Sequence, residues 1–256
     1  LQLRFHNPSK TIISKGQSYL LVVFIQLMAL GFALQISSFS SATESNFCIL
    51  LIVNQLLFLG LIAALSVQRQ ALKDWARYRR EGMKNRWGFW SRDLIKDLLW
   101  AEKSPAILAI AINLVLSSVI LSFWIWMALT SSEFHSMSAL AILAVTMSLT
   151  LIYATIVQLM LLMRAKRQMQ WAAAVVIALV VLPPIFLMLL SAFPEKVPLF
   201  WLFTAFPWAA IKDASIEAIF AAFVSQLGIF ALLNRQLNRQ LKVAGESATK
   251  ALLKGV

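Results

Sequence analysis

The chain has 256 residues, of which 60% are hydrophobic and 13% charged, and its 23 Lys and Arg outnumber 11 Asp and Glu for a formal net charge of +12. Water-soluble domains carry roughly 45–50% apolar and about 25% charged residues, so this composition excludes a soluble fold and points to a bilayer as the solvent. The positive balance does not imply a nucleic-acid partner, because the basic residues are spread over several loops between apolar runs rather than gathered in one patch.

Residues 1–17, with Arg4, Lys10 and Lys15, read as a cytoplasmic amphipathic leading segment. Apolar runs then fall at 18–34, 47–67, 106–129, 138–163, 171–190 and 214–233. Each is near the length of about 20 residues that a helix needs to cross about 30 Å of hydrocarbon. Backbone groups facing lipid must be paired within their own segment, so six helices are expected rather than strands. The fold class is therefore all-α, a polytopic helical membrane protein in which 18–233 form one six-span domain. The single cysteine, Cys48, lies in the second run and leaves no partner for an intrachain disulfide.

The Lys and Arg distribution orients these spans. Residues 1–17, 68–105, 164–170 and 234–256 hold 21 of the 23 Lys and Arg, and the alternate loops contribute only Lys196 and Lys212. Cytoplasmic loops carry the basic excess, so both termini are expected in the cytoplasm, with 234–256 a cytoplasmic tail.

Two segments are neither spans nor simple loops. Residues 68–105 form a polar insertion with helical periodicity, Leu72, Trp75 and Tyr78 recurring at threes and Leu94, Ile95, Leu98 and Leu99 marking one face. It reads as two short amphipathic helices broken near residues 82–88, lying either on the lipid surface, with Trp87, Phe89, Trp90 and Trp100 in the headgroup zone, or against a partner. Residues 199–211 are strongly apolar but too short to cross. With Pro194, Pro198 and Pro207 as punctuation they are expected to form a re-entrant segment before the sixth span. Just beyond it, Asp213 and Glu217 are spaced to share a helix face beside Lys212, as an ion network or a gate.

Chemical motifs are scarce. No G-x-x-x-x-G-K-[ST] loop is present to cradle a nucleotide, and no H-E-x-x-H or G-x-S-x-G supports hydrolysis. His6 and His135 fall at opposite membrane faces in this topology, which leaves no metal site, no cofactor and no enzyme among the expectations. The polar residues inside the spans are Gln26, Asn54, Gln55, Asn113, Tyr153, Gln158 and Gln226. Such groups either hold helices together or line a path, and Asn54, Gln55, Asn113, Gln158 and Gln226 are the candidates for both roles. No Asp or Glu chain crosses the spans, which disfavours proton coupling. Pro183 and Pro184 should break or kink the fifth helix, as a hinge or as static packing.

The layout resembles the permease subunits of exporter-type (type-2) ABC transporters with six spans per unit. The resemblance rests on the leading segment with His6-Asn7-Pro8-Ser9-Lys10, the basic insertion after the second span and the short apolar piece before the sixth. The strings Arg69-Gln70-Ala71-Leu72-Lys73-Asp74-Trp75-Ala76-Arg77-Tyr78, Glu102-Lys103-Ser104-Pro105-Ala106 and Ala244-Gly245-Glu246-Ser247-Ala248-Thr249-Lys250 are similar to a bacterial subgroup of these permeases. The resemblance implies a bacterial cytoplasmic membrane and a separate nucleotide-binding ATPase subunit that pushes on the insertion, where Trp75, Arg77, Tyr78, Arg79 and Arg80 take the coupling position. It also implies a dimer of six-span units, or a unit that forms the second half of a longer permease, consistent with a first residue other than Met. The competing expectation is a structural or assembly membrane protein that binds anionic membrane lipid through 68–103 and a membrane partner through its spans.

Overall fold

The computed structural model describes residues 11–36, 43–66, 71–76, 99–100, 104–128, 136–163, 167–210 and 212–253. Among them every regular element is helical: α1 (Lys15–Ile36), α2 (Thr43–Leu65), α3 (Ile107–Ala128), α4 (Ser136–Leu162), α5 (Gln168–Leu189), the single turn α6 (Pro198–Trp201), a 3₁₀ turn at Pro207–Ala210 and α7 (Ile216–Leu253). Six of these helices are long and apolar enough to cross a membrane, which makes the chain a multi-pass membrane protein.

Helix α4 is the axis of the bundle. It packs against α2, α3, α5 and, most extensively, α7, while α1 packs on α3 and α2. Of its span residues 72% are buried, against 11% in α5, so α5 is a peripheral helix with most of its surface offered to lipid. Hydropathy is nearly uniform around α1 to α5, and the inward face is marked by small and polar side chains instead. In α1 the buried positions include Ser18, Val22, Gln26 and Ala33, whereas Leu20, Phe24, Leu27 and Phe32 are exposed. In α3 Ala109, Asn113 and Ser117 point inward while Val115, Val119 and Phe123 point out. Lipid solvates Leu and Phe as well as protein does, so small residues that let backbones approach, and polar groups that need partners, decide which side turns inward. Where bulk is buried it is matched, as in the stacked rings of Phe47 on α2 and Trp124 on α3, 6.2 Å apart.

Three features depart from expectation. First, the last helix does not stop at 233. It runs for 38 residues, about 57 Å at 1.5 Å per residue, against a hydrocarbon thickness of about 30 Å. Its buried stripe of Ile219, Ala222 and Gln226 is resumed by Leu237 and Leu241, so the apolar face outlasts the span. Second, α5 is continuous through Pro183 and Pro184. The two prolines donate no bond to the carbonyls of Leu179 and Val180, yet they do not end the helix. Third, α7 begins at Ile216 with the Ser215 hydroxyl accepting from the N–H of Ala218 at 3.3 Å. A serine N-cap sets the start there, so Asp213 lies in the preceding turn and does not share a helix face with Glu217.

The apolar segment before α7 is folded inward. After α5 the chain reverses at Ser191, which has φ 54°, while Ala192 N–H donates to Leu187 O at 2.9 Å and Ser191 N–H to Met188 O at 3.0 Å. This pair of bonds is the Schellman closure of a helix end. The Trp201 indole donates to Ala192 O at 2.8 Å, and the Thr204 hydroxyl bonds Trp201 O. Trp201, Leu202, Ala205, Trp208 and Ala210 are buried. The re-entrant expectation for 199–211 thus corresponds to a single helical turn and a 3₁₀ turn packed against α4 and α7.

Candidate functional site

The polar residues of the spans form interhelical contacts at separate levels of the bundle. Asn54 on α2 is the centre of one: its Oδ1 accepts from Gln26 Nε2 of α1 at 2.7 Å and from the Ser117 hydroxyl of α3 at 2.5 Å. Its Nδ2 faces Met147 Sδ of α4 at 3.9 Å, so one buried amide ties together four helices. Gln55, the next residue, turns to α4 instead and accepts from the Thr150 hydroxyl at 3.2 Å. Asn113 donates to the Ser18 hydroxyl at 2.9 Å, linking α3 to α1. Gln158, with its amide oxygen turned toward the donors, accepts from the N–H groups of Ala106 (2.8 Å) and Ile107 (3.1 Å) and caps the first turn of α3. Gln226 on α7 accepts from the Ser148 hydroxyl of α4 and donates through Nε2 to Leu202 O at 3.0 Å.

The five pathway candidates are therefore all buried, and each meets a neighbouring helix rather than a common centre. Two of them remain incompletely paired among the described residues: Gln55 Nε2 and Asn113 Oδ1 have no partner. A buried donor or acceptor left unpaired costs about 1–3 kcal/mol.

Gln226 is the one that positions the inward-folded segment, by bridging α4 to a backbone carbonyl that no helix satisfies. Two membrane hydrogen bonds of about 0.6–1.7 kcal/mol each hold it, so Gln226→Leu should raise local opening about tenfold or more. In a Cys48→Ser background, the buried Ala205→Cys should then react with a thiol reagent about tenfold faster in the Gln226→Leu chain.

On the basic side of the bundle lies a second apolar cluster: Ala71 and Leu72 from the insertion, Leu162 at the end of α4, and Leu237 and Leu241 on the extension of α7, with Trp75, Ile107 and Leu159 packed around it. Residues 71–76 are helical and rest on the molecule's own helices, which differs from the lipid-surface expectation for this part of the insertion. Trp75 is half-buried at this junction. Arg77, Tyr78, Arg79 and Arg80 lie outside the described residues, as do Trp87, Phe89 and Trp90. Trp100 is exposed, with its ring edge-on to Tyr19 at 6.0 Å. It also covers Gly16, where a Cβ would come within 3.0 Å of the indole.

Pro184 is buried and Pro183 half-buried. Lys15, which by sequence belongs with the loop cations, is the first residue of α1 and almost wholly buried, donating to the Ser104 hydroxyl and to Pro105 O. The hydroxyls of Ser18, Ser117, Ser148 and Thr150 are partners that sequence reading missed. Serine and threonine in an apolar run carry too little hydropathy signal to mark a face. Compared with known protein families, characterised proteins and solved structures, the chain matches none.

Proposed function

We propose that the chain is the permease subunit of an ATP-driven transporter of the type-2 exporter class, in the cytoplasmic membrane of a bacterium, with both termini and the basic loops in the cytoplasm. A separate nucleotide-binding subunit supplies the hydrolysis, since the chain carries no phosphate-cradling loop of its own. The observation that most supports this reading is the docking of residues 71–76 on Leu162, Leu237 and Leu241. A push on this stretch reaches α4, the bundle axis, and α7, its most extensive neighbour, through packed side chains. Arg77, Tyr78, Arg79 and Arg80 follow directly in sequence and with Trp75 form the contact with the ATPase, in keeping with the enrichment of Arg and aromatic residues at interfaces. The polar groups of the spans are engaged with one another, so in this reading the route runs between two six-span units. Pro183 and Pro184 give α5 a weakened stretch on which the units rock.

The test is ATPase stimulation by the reconstituted permease. Reversing Arg77, Arg79 and Arg80 to Glu together should weaken the complex with the nucleotide-binding subunit and abolish stimulation, while insertion survives. Topology is checked in the same chains by cysteine labelling: Ser41 and Ser132 react from outside, with Ser191 and Asp213, whereas Gly82 and Ser247 do not. Unchanged stimulation with correct topology removes the insertion from the coupling role. A scaffold that binds lipid through 68–103 predicts instead a fall in anionic-vesicle binding of about 1 kcal/mol per basic residue and no dependent ATPase.

A further inference from the structure

Between α2, α4 and α5 the bundle leaves a cleft of about 390 Å³, walled by Leu59, Ile62, Val157, Leu161, Val176 and Val180. Its lining is apolar save for Ser66, whose hydroxyl already donates to Ile62 O. Water there would find almost no partners, and apolar cavities of this kind stay dry or take apolar matter. The volume equals about thirteen waters at roughly 30 Å³ each, enough for a stretch of hydrocarbon chain.

The position of the cleft selects the kind of molecule. Ile12, Ser66 and Met169 line one end of it. Met169 lies in the first turn of α5, two residues after the exposed Arg167, which is the N-cap residue of that helix and makes no side-chain cap bond. Arg164 and Lys166 precede it in sequence, so the sequence that leads into this helix is basic. An apolar slot within the bilayer that ends near Arg167 and the first N–H groups of a helix is complementary to a molecule with a hydrocarbon tail and an anionic head.

We infer that this cleft holds one acyl chain of an anionic phospholipid from the leaflet on the basic side, with its phosphate against Arg167 and the first turn of α5. Because α5 is the least enclosed of the spans, the lipid acts as a filler that seats this helix on α2 and α4. The inference needs only the membrane fold and is independent of the transport reading.

The experiment uses the full chain in nanodiscs of mixed phosphatidylglycerol and phosphatidylcholine, released into native mass spectrometry. Wild type should retain phosphatidylglycerol over phosphatidylcholine. Arg167→Glu should reduce that preference by about fivefold or more, the scale of one basic charge near an anionic surface. Ala173→Trp, which fills the cleft from its α5 wall, should lower retention of both lipids. Phosphatidylglycerol carrying a diazirine in its acyl chain should crosslink the unaltered chain at Leu59, Val176 or Val180, a readout that needs no variant to fold. Crosslinks confined to other faces, or equal lipid retention in all three chains, would overturn the site. So would a concentration-dependent dimer that Ala173→Trp abolishes, since a second copy would then be the occupant.

Discussion

Replacing Leu237 with aspartate is expected to release residues 71–76 from the end of α7 and to cost about 3 kcal/mol or more of stability. Leu237 is 2% exposed within the cluster of Ala71, Leu72, Leu162 and Leu241. A carboxylate there must either be stripped of water or open the cluster, and opening is the cheaper course because the short stretch 71–76 is held there only by side chains at the ends of α4 and α7. The readout is thiol reactivity of Ala71→Cys in a Cys48→Ser background, slow with Leu237 and fast with aspartate. Val243→Asp serves as control: Val243 is 56% exposed on the same stretch of α7, and its replacement should stay within about 0.5 kcal/mol. Under the transport reading the Leu237→Asp chain also loses ATPase stimulation although Arg77, Arg79 and Arg80 are intact. Equal protection of Ala71→Cys in both chains would show that this contact does not hold the insertion.

The second large effect is expected at Asn54. Asn54→Leu removes the oxygen that accepts from Gln26 and from Ser117, leaving both donors buried. Orphaned donors cost about 1–3 kcal/mol each in a protein interior, but hydrogen bonds between membrane helices average nearer 0.6 kcal/mol, because the loosened chain finds other partners. A net loss of about 2 kcal/mol is therefore expected, smaller than at Leu237, where a carboxylate would be placed among buried apolar side chains. Adding Gln26→Leu removes one orphan, so the double variant should be less destabilised than the two single changes summed, by about 1 kcal/mol. Unfolding of the chain in mixed micelles measures the cycle. Strict additivity would mean that Gln26 and Asn54 do not share a bond.

Hydropathy was enough to count six spans and to mark 199–211 as an apolar piece too short to be one. Each span must satisfy its backbone within itself, so it announces its own length without reference to any neighbour. The same rule hid the end of α7. Its extension past residue 233 is not apolar enough to read as a span, and its stripe of Leu237 and Leu241 acquires meaning only once Ala71 and Leu72 are seen against it. The prolines of α5 do not break it: a missing donor weakens a helix locally, but whether the chain breaks depends on what surrounds it, and Pro184 is buried. For the site, the sequence marks Asn54, Gln55, Asn113, Gln158 and Gln226 as polar groups in apolar runs. It leaves open which of them meet, because facing is decided by rotation of each helix about its axis. That rotation is set by small and polar side chains finding one another across helices. A hydropathy average, in which a leucine facing lipid and a leucine facing protein count alike, carries no record of it.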